Sequence, residues 1–130
     1  MTKPLVAFAD PVKSVIDRLR DQLPSIPTRA FTSSPMPVEF LLVRQDGPTA
    51  VRYPVAAATA VRVIAWARDE FDAADLAQRA QIILVTHPGN ADVRSIGSLT
   101  GPLVATDDQT NRPLAYITVE VRSRPTVYTP

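Results

Sequence analysis

The chain has 130 residues, enough for one hydrophobic core and too few for two. Hydrophobic residues make up 45% and charged residues 21%, a globular balance that excludes an intrinsically disordered chain. Lys plus Arg number 14 against 13 Asp plus Glu, and a formal charge of +1 argues against a dedicated binder of nucleic acid or anionic membrane. With no cysteine, disulfides, thiolate metal sites and a catalytic thiol are excluded. There are 13 Pro and only 4 Gly, which points to stiff connections.

Asp10-Pro11 opens the first predicted helix, with Asp10 as N-cap and Pro11 at the first helical position. Val12, Val15, Ile16, Leu19 and Leu23 recur at helical spacing, and Pro24 stops the helix, so it is placed at 10–22. Residues 24–37 carry Pro24, Pro27, Pro35 and Pro37 and read as an extended linker with a short edge strand at 28–32. The apolar run 38–44 is a predicted strand, Asp46-Gly47-Pro48 a turn, and 51–53 a short strand.

Residues 59–67 form a central strand, with Val61, Val63, Ala65 and Ala67 on one face and Arg62, Ile64 and Trp66 on the other. Trp66 is assigned to the core. Asp72 is the expected N-cap of a second helix, whose stripe is Leu76, Ala77, Ala80, Ile83 and Leu84. His87-Pro88-Gly89-Asn90 ends it. Residues 93–99 make a strand with a bend at Gly97, Gly101-Pro102 breaks it, and 103–105 resume it. After a polar turn at 106–113 comes the clearest strand, 114–122, with Ala115, Ile117, Val119 and Val121 inward. The order implies an α+β domain: a mostly antiparallel sheet of four to five strands with two helices packed on it. The chain reads as a single domain, 1–130, with an N-terminal extension at 1–9 and a C-terminal arm at 125–130.

No enzyme site emerges, and no catalytic, cofactor-binding or metal-binding residues are assigned. His87 is the only histidine, and it falls at a helix C-terminus, where a cation meets the dipole and bonds free carbonyls. Asp69, Glu70, Asp72 and Asp75 are oxygen ligands of the kind a hard cation takes, but without EF-hand spacing they read as a solvated helix start. Asp107 and Asp108 read as turn residues. No phosphate-cradling glycine pattern is present. Nearly all positive charge is Arg, which reflects either interface use, where Arg is the favoured cation, or a G+C-rich genome. Candidate interface residues are therefore Arg62, Arg68, Arg112, Arg122 and Arg124, joined by Val127 and Tyr128, either as apolar anchors of the arm on a neighbour or as part of a frayed end. No apolar run reaches the roughly 20 residues that span a bilayer. The stretch 5–9 is too short for a secretory leader, so no membrane partner and a cytoplasm-like compartment are expected.

Three segments together carry a resemblance. They are the strand-to-helix unit Val61-Arg62-Val63-Ile64-Ala65-Trp66-Ala67 with Phe71-Asp72-Ala73-Ala74-Asp75-Leu76-Ala77, the turn Asp107-Asp108-Gln109-Thr110-Asn111-Arg112-Pro113, and the strand Tyr116-Ile117-Thr118-Val119-Glu120-Val121-Arg122 ending in Arg124-Pro125. Over residues 38–125 their order and spacing resemble the tail terminator (tail-completion) proteins of long-tailed bacteriophages, particularly small ones from phages of actinobacteria. The resemblance implies a ring, usually a hexamer, that caps the tail tube, ends its polymerisation and presents a surface for head–tail joining. The implied partners are copies of the chain itself, the tail tube protein and the head–tail connector or head-closure protein. DNA would pass through the lumen without specific binding, with Asp69, Glu70 and Asp72 as candidate lumen residues. The implied location is the tail or neck of the virion, and the host cytoplasm during assembly. Relatives often have Gly in the turn where Asn111 stands, and Asn tolerates the left-handed backbone better than most residues. Competing readings are another neck component, a head-closure or adaptor protein, and a small-molecule-binding α+β domain.

Overall fold

A computed structural model describes residues 5–31 and 37–129. Among these residues, two helices and a six-stranded mixed sheet form the α+β body, and a separate two-stranded ribbon pairs residues 6–7 with 126–127. The strands are β1 (Val6–Ala7), β2 (Thr28–Arg29), β3 (Phe40–Gln45), β4 (Ala50–Arg52), β5 (Ala56–Trp66), β6 (Val93–Thr106), β7 (Pro113–Ser123) and β8 (Thr126–Val127). The helices are α1 (Pro11–Gln22) and α2 (Glu70–Val85). The main sheet runs β2-β3-β5-β7-β6, with β4 continuing beyond β3 along the same strand, β5.

Local chemistry accounts for α1. The Asp10 carboxylate accepts from Val12 N at 2.9 Å, and Pro11 follows at the start of the helix. The helix buries Val15, Ile16 and Leu19 against the sheet, each worth roughly 1.5–3 kcal/mol relative to exposure. At its end the Arg20 guanidinium donates to Thr28 O at 2.8 and 3.1 Å, and Leu41 N donates to Pro27 O at 2.8 Å. These bonds fix β2 at the sheet edge in the direction α1 leaves it, parallel to β3. The sheet is thus mixed, where a mostly antiparallel one of four to five strands was expected. The expected edge strand at 28–32 shortens to Thr28–Arg29; Thr32 and the rest of the linker to residue 36 lie outside the described residues.

Alternation along the strands separates two faces. Leu41, Val43, Val61, Val63, Ala65, Ala115, Ile117, Val119 and Val121 pack under both helices with Leu76, Ala77, Ala80 and Leu84. Phe40, Leu42 and Trp66 form a second, smaller cluster on the opposite face, with Ile64 and Leu114 against it. Trp66 is core, as expected, but of this second cluster.

Two further expectations change. Helix α2 begins at Glu70, because Asp69 and not Asp72 is the N-cap: its carboxylate accepts from Asp72 N at 2.8 Å. Gly101-Pro102 does not break β6; the strand runs on through register shifts against β7, and a proline is accommodated because β6 is an edge strand. Parts of the N-terminal extension and the C-terminal arm meet in the ribbon. Val6 pairs with Val127 and Ala7 with Thr126, antiparallel. Tyr128 N donates to Leu5 O at 2.9 Å, and Val6 N donates to the Tyr53 hydroxyl at 3.1 Å, tying the ribbon to the β4–β5 hairpin. Residues 1–4 and Pro130 lie outside the described residues.

Candidate functional site

The register between β5 and β7 opposes Trp66 to Leu114, so the turn before β7 and the β5–α2 junction share one end of the sheet. At that end Phe40 and Trp66 stack with ring centres 5.4 Å apart. The Arg112 guanidinium lies over both, 5.8 Å from the Phe40 ring and 5.5 Å from Trp66. Its Nη2 donates to Pro37 O at 3.1 Å and Val38 O at 2.6 Å. Arg112, a candidate interface residue, is thus a half-buried clamp within the chain. The turn that delivers it is built by Asp107, whose carboxylate accepts from Thr110 N at 2.8 Å and Thr110 Oγ1 at 2.6 Å. These bonds hold the Asp107 carboxyl below its ordinary pKa of 3.8. Asn111 takes the left-handed conformation, φ 56°, as expected.

Further along the helix-free face, the Arg62 guanidinium lies 4.8 Å from the Tyr116 ring centre and pairs with Asp46 at 3.2 Å. Arg122 donates from Nε to Glu120 Oε1 at 2.9 Å and from Nη1 to Ser95 Oγ at 3.2 Å. The guanidinium lies alongside Gly97, where a Cβ would be in ordinary contact with Arg122 Nη2 at 3.4 Å. Arg62 and Arg122 therefore share the open face and already carry partners. Arg68 and Arg124 are exposed elsewhere, Arg68 beside the acidic start of α2 and Arg124 between β7 and β8.

Asp69, Glu70 and Asp72 are all exposed at the N-terminus of α2, where carboxylates complement the helix dipole. Asp108, also exposed, lies in the turn at the same end of the sheet. Val127 and Tyr128 are 85% and 51% exposed on the ribbon at the opposite end, whose β1 strand is tied through Val6 N to Tyr53 of the β4–β5 hairpin. The structure thus divides the candidates into an acidic end, an arginine-bearing open face and an apolar ribbon end.

A groove of about 330 Å³ lies between α1 and the α2–β6 connection, lined by Ser14, Arg18, His87 and Asp92 among others. His87 Nδ1 accepts from Gly89 N at 2.8 Å, which requires that nitrogen to be unprotonated. Burial first, and Arg18 second, push its pKa below the ordinary 6.5. The expected cation at the end of α2 is therefore not His87. Arg18 of the neighbouring helix supplies it, donating from Nε to Ile83 O at 3.3 Å, while Thr86 Oγ1 donates to Ile82 O at 2.7 Å. Ser14 Oγ donates to Asp10 O at 3.2 Å and is not directed at His87. Among the described residues, no group of three or more His, Cys, Asp or Glu side chains converges to hold a metal ion.

No protein-family model and no curated protein matches this chain. Sequence reasoning missed the intramolecular duty of Arg112 and the pairing of the two ends. The first depends on a contact 75 residues away in sequence, and the second on strands of two residues each.

Proposed function

We propose that this chain is a structural virion protein, a tail terminator that assembles into a ring on the end of a phage tail tube. The observation that carries this reading is the convergence of the three resembling segments: β5 with the start of α2, the turn at 107–112, and β7 meet at one end of the sheet, bound together by Arg112 and Trp66. In the fold these segments are neighbours. The acidic end at Asp69, Glu70 and Asp72 suits a lumen through which DNA passes, since carboxylates repel phosphate. The balanced overall charge lets copies gather without strong mutual repulsion. The protein acts by contact and not by catalysis. Tube polymerisation stops because the terminal ring offers the tube no further growing surface and gives the connector one to meet.

Electron microscopy of particles made without this gene product tests the reading. Overlong tails are expected. Tails of normal length that fail to join filled heads would overturn it in favour of an adaptor. Mass measurement of the purified chain mixed with tail tube protein gives a second test: it should enter a multi-copy complex, and a strict monomer in the mixture counts against the terminator.

A further inference from the structure

The longest exposed edge of the main sheet is β6. Every residue from 98 to 104 is exposed, including Leu99 at 51%, Leu103 at 49% and Val104 at 51%. Residues 95–106 carry no charge, in a chain that is 21% charged. Sheet edges facing water are normally guarded by charged side chains or covered. Here Pro102 and the register shifts beside it are the only such devices on the stretch, and they leave its apolar side chains outward. A second uncharged strand edge belongs to the ribbon. β8 pairs with β1 along one side only, residues 125–130 carry no charge, and Val127 is the most exposed large hydrophobic residue described.

We infer that the β6 edge around 98–104 receives the outer edge of β8 from a second copy of this chain, by strand addition. Both edges leave backbone donors and acceptors outside the sheet ladders, and neither buries a charge when they meet. Within one chain they cannot satisfy each other, because β8 is held to β1, and Val6 of β1 is tied to the β4–β5 hairpin. The two surfaces lie on different parts of the subunit. Their contact is head-to-tail, the heterologous type that closes into a ring when the rotation permits. This deepens the proposed function by naming its seam, and it rests on that reading only for the number of copies.

The absence of cysteine gives a clean test. Leu103→Cys and Val127→Cys are made singly, both at exposed positions, and mixed in the presence of tail tube protein with a short bismaleimide. A covalent dimer is expected in the mixture and not with either variant alone. Leu103→Lys should raise the concentration for half-association by about tenfold or more, with unchanged melting. If copies associate by mass but the mixture yields no cross-link, the seam is wrong and the ring reading stands. If the Val127→Cys variant cross-links to itself as efficiently as the mixture does, the contact is isologous and the inference fails. If the chain stays monomeric with tube protein, both the seam and the ring reading fall.

Discussion

The guanidinium carbon of Arg112 stands 5.5 Å from the centre of the Trp66 ring, so the turn before β7 grips the last residue of β5. The same guanidinium bonds two carbonyls of the segment entering β3. One side chain thereby joins three stretches that are distant in sequence. Arg112→Ala should cost about 2 kcal/mol of unfolding free energy, combining charge-assisted hydrogen bonds with ring contact. Arg112→Lys should recover little, since an ammonium has no planar fork to lie on a ring. Urea denaturation measures both, and Arg68→Ala, at an exposed position, serves as a control expected within about 0.5 kcal/mol of the parent.

Asn111 occupies the left-handed region with φ 56°. Asn111→Val should destabilise by about 1–2 kcal/mol, because a β-branched side chain crowds its own carbonyl there. Asn111→Gly should be close to neutral. Equal effects of Val and Gly in thermal melts would contradict this account of the turn.

Asp69 caps α2, whereas Glu70 lies one residue into it. Asp69→Ala should lose about 1 kcal/mol, and Glu70→Ala only a few tenths. Denaturation separates the capping role of Asp69 from the lumen role assigned to the pair, which would appear in virion assembly and not in melting.

The lowered pKa of His87 gives a pH signature. The unfolded chain takes up this proton near pH 6.5, while the folded chain resists until a lower pH. Folding stability should therefore be full above pH 6.5, fall as the pH drops below it, and lose nothing more to this group once the folded His87 is protonated. His87→Asn keeps an acceptor for Gly89 N and removes the titration. The difference between the two stability–pH curves should be flat above pH 7 and open below pH 6.5; parallel curves throughout would refute the assignment.

Deleting residues 126–130 removes β8 but touches no strand of the main sheet. Melting should change by less than about 1 kcal/mol, because a ribbon of such short strands adds little on its own, while association with further copies should be lost. A large fall in stability would show that the ribbon is needed by the body of the fold.

Much of the fold was legible where local chemistry and burial agreed. Asp10-Pro11 set the start of α1 because cap and proline act within one turn. Strand β7 showed itself because one face is buried along its whole length. The start of α2 was misread by a few residues because Asp69 and Asp72 are equally good caps, and only the backbone path chooses between them. Gly101-Pro102 looked like a break because a register shift on an edge strand has no separate sequence signature. The parallel placement of β2 was hidden, since its direction comes from Arg20 and Pro27 bonding across to other elements. Of the candidate site, the open-face side of Arg62 and the exposure of Val127 were readable from alternation and position. The partners of Arg112 and Arg122 were not, because a guanidinium reaches several residues in directions that only tertiary contacts select.

The hydrogen bond from Tyr128 N to Leu5 O brings the first and last described strands side by side. A circularly permuted variant that joins residue 128 to residue 5 through a short linker and opens within 107–112 would keep every strand neighbour while cutting the loop that carries Arg112.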